Sequence, residues 1–327
     1  MNKKKLNHII VVGSGYSGSS AIRDYLISRK DCIAPFYNQE FRFINDPDGI
    51  DSLYFNLYKN FSLNTSSESL SRFEIFAKNT SQIKFNDGKK LSFLYSPDFM
   101  NVIEGYIEKI IEIEYPANPQ FKMIAGSKYK NFLNKVHKNI FKKNLNQQFK
   151  MRITCGEKYF LTSTKKLIEN IILLNIKKTK KNILPNIILD QAVNFFNPET
   201  AFKYFDNLKI IIVTRDPRSV YYSLKSRDSK KYPWRNIETF TKWYKIMMNS
   251  RQRKKNNHNI LNIKFESFAK SFSKEAIKIN KFLDIKDLKN YSFNHKTTYY
   301  NAYKAKKLLS TNERKYIEKK LQKYLQW

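Results

Sequence analysis

The run His8-Ile-Ile-Val-Val-Gly-Ser-Gly-Tyr-Ser-Gly-Ser-Ser20 decides the fold. Ile9 to Val12 is short, continuous and rich in β-branched residues, the pattern of a parallel strand buried on both faces. Gly13, Gly15 and Gly18 interrupt it, and Ala21, Ile22, Tyr25 and Leu26 then recur at helical spacing, with Arg23, Asp24, Arg29 and Lys30 on the other side. A strand, a glycine-rich loop and a helix open a nucleotide-binding βαβ unit.

Backbone N–H groups in such a loop, followed by a helix N-terminus, cradle phosphate oxygens. Gly13, Ser14, Gly15, Tyr16, Ser17, Gly18, Ser19 and Ser20 are therefore candidate phosphate-binding residues. The register matches the P-loop pattern GxxxxGK[ST] except that Ser19 replaces the lysine, so a kinase or NTP-hydrolysing role loses its central cation. The GxGxxG of a dinucleotide-binding fold also fits. It asks for an acidic residue at the end of a second strand about twenty residues on. Asp31 and Glu40 bracket that interval, but Cys32 to Pro35 is a poor strand.

Working outward, Leu208-Lys-Ile-Ile-Ile-Val-Thr214 is the strongest strand in the chain and runs into Arg215-Asp-Pro-Arg-Ser-Val-Tyr-Tyr-Ser223. Asp216 suits an N-cap and Pro217 the first helical position, so a helix starts at once. Arg215 then stands at the carboxyl end of a parallel strand, where open α/β sheets bind ligands. A guanidinium there either clamps a phosphate or pairs with a nearby carboxylate such as Asp216. Ile187 to Leu189 and Ile260 to Phe265 read as further strands, and Ser310-Thr-Asn-Glu313 is a capping box opening a last helix.

Between these parts, Asp98 to Tyr115 reads as a helix with Val102, Ile103, Tyr106, Ile107, Ile110 and Ile111 on one face. Residues 51–181 otherwise give weak, mostly helical signals. The expectation is an α/β fold: a P-loop-like parallel sheet flanked by helices, in one domain spanning 1–327, with 51–181 a mainly helical insertion around the substrate. With 8 Gly and 9 Pro and no linker-like stretch, nothing divides the chain further.

The charge is extreme: 61 Lys+Arg against 28 Asp+Glu give +33. That favours an anionic ligand, polymer or membrane surface. The lysines are dispersed, however, and the short clusters 177–181, 251–255 and 304–307 form no single arm with interleaved aromatics. Compositional bias explains them better than a dedicated nucleic-acid surface. Cys32 and Cys155 are too few for a disulfide framework, and His8, His137, His258 and His295 show no zinc spacing, so no metal is expected. No apolar run is long enough for a signal peptide or a membrane span, which predicts a cytoplasmic protein whose membrane contact would be peripheral.

The two phosphate elements together resemble the PAPS-dependent sulfotransferase family, bacterial type. Gly13 to Ser20 is similar to that family's 5′-phosphosulfate loop, usually a basic residue followed by Ser-Gly-Thr-Thr. Arg215-Asp-Pro-Arg218, with Ser223 eight positions after Arg215, resembles its 3′-phosphate element. Weaker likenesses are Ile187-Ile-Leu-Asp-Gln-Ala-Val-Asn194, the stretch Phe265-Glu266-Ser267-Phe268 with Phe282-Leu283, and Tyr300-Asn301-Ala302-Tyr303-Lys304, where a late basic segment closes over the nucleotide.

The resemblance implies PAPS as co-substrate, no metal, and a hydroxyl-bearing acceptor, with a sugar or surface glycan as the candidate. It implies that Arg215 and Ser223 contact the 3′-phosphate, that Lys304 closes over the nucleotide with the late basic segment, and that Asp190 is the base that takes the acceptor's proton, with Glu157 and Glu40 in reserve. Asp190 also has a plain structural reading, as a carboxylate capping the segment after its strand. The sequence departs from the family at Tyr16, where a Lys or Arg is usual, so the loop lacks a charge that Arg42 or Lys304 would have to supply. Two other readings stay open: a P-loop small-molecule kinase, and a basic nucleic-acid-binding protein without catalysis.

Overall fold

The computed structural model describes residues 6–37, 39–86, 91–117, 149–178, 185–250, 257–286 and 293–327. The basic run at 251–255, part of that at 177–181, and His137 lie outside them. The chain forms two compact units, Met1–Phe41 with Ile183–Trp327, and Arg42–Asn182.

The first unit opens with β1 (Asn7–Gly13), α1 (Ser19–Ile27) and β2 (Cys32–Ile33). Ile9, Ile10, Val11 and Val12 are all at most 1% exposed, which is why the strand reads as a continuous apolar run. Each such side chain contributes about 1.5–3 kcal/mol of burial. The poor strand at Cys32 is realised as two residues at the sheet edge.

The second unit carries α2 (Ile50–Tyr54), which runs into a π-helical turn at Phe55–Lys59, then α3 (Leu63–Ser81), the hairpin β3 (Lys84–Asn86) and β4 (Leu91–Phe93), and α4 (Phe99–Ile110). It continues with β5 (Ile111–Ala117), antiparallel to β6 (Phe149–Thr154), and ends in α5 (Glu157–Lys178). The helix expected to reach Tyr115 therefore stops at Ile110. From Ile111 the sequence Ile-Glu-Ile-Glu-Tyr alternates with period two, and cross-strand pairing overrides the helical reading. Tyr106 and Thr164 join α4 to α5 through their hydroxyls at 2.8 Å, and Arg152 of β6 grips Glu74 of α3 at 2.6 Å.

Back in the first unit come β7 (Asn186–Asp190), β8 (Leu208–Thr214), α6 (Pro217–Ser226), α7 (Ile237–Ser250), β9 (Ile260–Lys264), α8 (Phe265–Lys270) and α9 (Phe272–Leu283). The chain closes with α10 (His295–Tyr303), α11 (Ala305–Leu308) and α12 (Thr311–Leu321). The sheet order is β2-β7-β1-β8-β9, and every pairing is parallel. On one face, Ile9, Val11, Ile211 and Val213 pack on α1, α8 and α9 through Ile22, Tyr25, Phe268 and Ile279. A separate cluster joins α6, α7 and α12 through Val220, Phe240 and Ile317. The capping box expected at Ser310 and Glu313 is formed.

Because the strands are parallel, Gly13, Asp190, Thr214 and Lys264 all end on one edge. Register places Val11 opposite Asp190, Gly13 opposite Val213, and Thr214 opposite Lys264. The order reverses around β1, so the loop after β1 lies at the topological switch point, the general ligand position of open α/β sheets. Among the described residues no helix is long and apolar enough to cross a membrane.

Candidate active site

The loop between β1 and α1 is closed by Ser17 N donating to Ser14 O at 3.0 Å and Ala21 N donating to Gly18 O at 3.1 Å. Gly18 has φ of 84°, a left-handed conformation, and a Cβ there would stand 2.5 Å from the Phe265 ring. Tyr16 adopts φ of 63° without being glycine. No side chain caps α1, and its first turn holds no acidic residue, so its N-terminal amides face the loop with their dipole unopposed. Ser17 Oγ is buried and finds no hydrogen-bond partner among the described residues. These are the features of an anion cradle.

Gln191, which the sequence does not single out, braces this loop from the neighbouring strand. Its Oε1 accepts from Gly13 N at 3.4 Å and its Nε2 donates to Ser19 Oγ at 3.0 Å. Gln191 itself has φ of 52°. Its only signal is its place, one residue past the carboxyl end of β7.

Arg215 leaves β8 and is only 6% exposed. Its Nη1 donates to Tyr16 O at 3.0 Å and to Ser223 Oγ at 3.2 Å, and its Nη2 donates to Asn301 O at 2.5 Å. The two phosphate elements expected from the sequence therefore meet, with Ser223 two helical turns along α6 and its hydroxyl on the same guanidinium. The Arg215 guanidinium also lies 5.0 Å above the Phe265 ring, so Phe265 supports both Gly18 and Arg215.

Asp216 is not the partner of Arg215. It caps α6 by accepting from Arg218 N, and its carboxylate is held by Arg218 Nε at 2.9 Å and Nη2 at 2.8 Å and by Gln326 N at 2.7 Å. Arg218 also reaches Glu318 at 2.6 Å. The carboxylate facing Arg215 is Glu266, with Oε1 4.0 Å from Nε and accepting from Asp216 N at 3.1 Å. Burial pushes Glu266 up to about 7 against the pull of Arg215, and burial lowers Arg215 to about 10 against the pull of Glu266. Both shifts run toward the neutral forms, so desolvation outweighs the pairing at this distance.

Lys304 follows α10, with Nζ donating to Asn301 Oδ1 at 3.1 Å. Burial lowers its pKa, and the charges of Arg215 and Arg227 lower it further. Lys304 is thus in the same electrostatic neighbourhood as Arg215. Arg42, the other cation considered for the loop, is held by Asp46 at 2.6 Å within the second unit.

Asp190 ends β7 and is 8% exposed. Its Oδ2 accepts from Arg23 Nη1 at 2.7 Å, while Oδ1 is buried and finds no hydrogen-bond partner among the described residues. Burial raises its pKa to about 6, opposed by Arg23. Of the reserves, Glu157 accepts from Tyr54 Oη at 2.5 Å and Lys59 Nζ at 3.2 Å within the second unit. Glu40 lies near enough to Asp190 to raise its pKa. The aromatic residues between 36 and 58 are chiefly core: Phe36, Phe41 and Phe43 are each at most 2% exposed.

A cleft of about 560 Å³ opens beside the loop, between Ser20, Ala21 and Asp24 of α1 and Asn294, Thr297 and Asn301 at α10. It lies in the size range of small-molecule sites.

No curated protein matches the chain. Among solved structures, the sulfotransferase domain of a Synechococcus olefin synthase aligns at 13% identity and a TM-score of 0.41, covering 98% of this chain and 96% of that one. The sulfotransferase domain of the curacin biosynthetic pathway aligns at 12% identity and a TM-score of 0.40, covering 98% and 99%. The Mycobacterium tuberculosis sulfotransferase STF1 aligns at 9% identity and a TM-score of 0.39, covering 97% and 76%. A sequence profile described as the sulfotransferase family matches residues 8–289, from the start of β1 to beyond α9. A match of that extent takes in the glycine loop, Arg215, Ser223 and Glu266 together, and on it the chain belongs to the sulfotransferase family.

Proposed function

We propose that this sulfotransferase moves a sulfuryl group from PAPS to a hydroxyl acceptor, with a sugar or surface glycan the first class to try. The observation that carries the reading is the single guanidinium of Arg215 bonded to both Tyr16 O of the loop and Ser223 Oγ of α6. In this reading the loop amides and the hydroxyls of Ser14, Ser17, Ser19 and Ser20 hold the 5′-phosphosulfate, and Arg215, Ser223 and Lys304 hold the 3′-phosphate. The cleft beside α1 suits the nucleoside in size, with Phe293 on its wall.

Transfer is in line, and positioning with charge stabilisation supplies most of the rate, as in phosphoryl transfer. Asp190 is the proposed base, acting through Oδ1 while Arg23 fixes Oδ2. The chain acts as one sulfotransferase domain with residues 51–181 as its insertion, and the cytoplasmic location expected from the sequence belongs to the same reading. Calorimetry with 3′,5′-ADP, ATP and NAD tests the nucleotide site. Micromolar binding selective for 3′,5′-ADP and lost in Arg215→Ala is the expected result, whereas preference for ATP or NAD overturns it.

A further inference from the structure

The loop at 13–20 contributes amides and hydroxyls but no charged side chain. Among the described residues, Arg215, Lys304 and Arg227 bring positive charge to it, and their situations differ. Arg215 is buried, and its terminal nitrogens are engaged by Tyr16 O, Ser223 Oγ and Asn301 O. Lys304 is half-buried and donates to Asn301 Oδ1. Arg227, just past α6, is exposed, and its guanidinium lies 5.6 Å from the centroid of the Tyr16 ring.

Among the described residues no acceptor or carboxylate engages that guanidinium. The carboxylate next to it in sequence, Asp228, is held by Arg235 at 3.0 Å, and the nearby lysine, Lys225, is paired with Glu313 at 2.6 Å. Arg227 and Arg215 each depress the Lys304 ammonium, and Arg227 also depresses Arg215, so the three share one electrostatic field. Like charges gathered around one loop are unfavourable until an anion joins them.

The Tyr16 ring is the platform. It meets Tyr232 edge-on with centroids 6.0 Å apart, and Arg227 stands over it. A guanidinium held over a ring face keeps its N–H groups available for an anion. We propose that Arg227 is a binding residue for the 5′-terminal anion of the nucleotide on loop 13–20, with Tyr16 positioning it. The inference rests on the PAPS reading. It assigns to a side chain at the end of α6 the charge that Tyr16 cannot supply.

The test is calorimetry on the full chain with two probes, 3′,5′-ADP and adenosine 3′-phosphate, which lacks the 5′ anion. Arg227→Ala should weaken 3′,5′-ADP by about ten- to a hundredfold, the range for a charge-assisted contact, and change adenosine 3′-phosphate binding much less. Arg227→Lys, which keeps the charge but loses the forked guanidinium donors, should fall between. Tyr16→Ala should weaken 3′,5′-ADP as Arg227→Ala does. Lys225→Ala removes the same charge two residues away and should have little effect. Unchanged 3′,5′-ADP binding in Arg227→Ala, or equal loss of both probes, overturns the assignment while the nucleotide reading stands. Wild-type protein that binds neither probe sinks both. If Arg227→Ala does not fold, the Arg227→Lys and Tyr16→Ala comparisons decide the question by the same criterion.

Discussion

Arg215 Nε and Glu266 Oε1 face each other at 4.0 Å, the arginine 7% and the glutamate 1% exposed at the side chain. The pair is too long for a hydrogen bond and too buried for water to screen it. Glu266 therefore carries the larger consequence for pH. Its folded pKa of about 7 is above its ordinary 4.5, so the native state holds a proton that the unfolded chain releases. Stability from this group is fully present below pH 4.5 and declines as pH rises toward 7. Glu266→Gln keeps an acceptor for Asp216 N and removes the titration. Urea unfolding between about pH 4.5 and 7 should show wild type losing stability relative to Glu266→Gln by a few kcal/mol. Parallel curves for the two proteins would show that Glu266 ionises normally.

Gly15 and Gly18 should respond differently to alanine. A Cβ on Gly15 would meet the Tyr232 hydroxyl at 2.2 Å, the far end of a side chain that can swing away. On Gly18 it would meet the Phe265 ring at 2.5 Å, with φ of 84° adding backbone strain, and Phe265 is 3% exposed. Gly18→Ala should cost more than about 2 kcal/mol and abolish 3′,5′-ADP binding. Gly15→Ala should cost less, and Tyr232→Ala in the same chain should recover part of the loss. A double-mutant cycle from thermal melts measures that coupling. Strict additivity would mean that Tyr232 does not cover Gly15 in solution.

The parts legible in the sequence are those where one local rule dominates. Ile9 to Val12 reads as a buried strand because both its faces are covered, and Asp216-Pro217 announces a helix start by capping chemistry alone. Glu266 and Gln191 are not legible as site residues. Each owes its place to parallel strands ending on one edge, and strand order is not written in any single segment. Arg227 is hidden for another reason: its meaning depends on Asp228 and Lys225 already having partners, which only the packed surface decides. At Ile111 the helical face runs on by coincidence, since Ile110 and Ile111 satisfy both periods until β6 supplies a pairing partner.

Asp190 and Arg23 are the next pair to test, since each is 9% exposed or less at the side chain and they bond at 2.7 Å. Arg23→Ala leaves a buried carboxylate without that guanidinium and should destabilise the protein by about 3–5 kcal/mol. Asp190→Asn keeps the shape and one acceptor and should be milder. Turnover of PAPS with an acceptor should rise with pH through about 6, because a base works deprotonated and burial holds Asp190 there. Asp190→Asn should lose both the rate and that pH step. Near-normal turnover in Asp190→Ala removes the residue from the mechanism and leaves it a strand-end carboxylate.

The last residues of the chain brace the start of α6. The Trp327 ring centroid lies 3.4 Å from the Arg218 guanidinium carbon, and Trp327 Nε1 donates to Ser219 Oγ at 3.3 Å. Gln326 N donates to Asp216 Oδ2 at 2.7 Å. Asp216 adjoins Arg215, so loosening this brace should reach the guanidinium through one peptide. Trp327→Ala should cost about 1–2 kcal/mol from the lost cation–π contact and packing. It should weaken 3′,5′-ADP binding less than Arg215→Ala does, because every direct contact proposed for the nucleotide survives. Thermal melts and calorimetry on the two variants separate the effects. If Trp327→Ala lowers the melting point while binding is untouched, the brace serves stability alone; if binding falls as far as in Arg215→Ala, the nucleotide site depends on this strut to place its arginine.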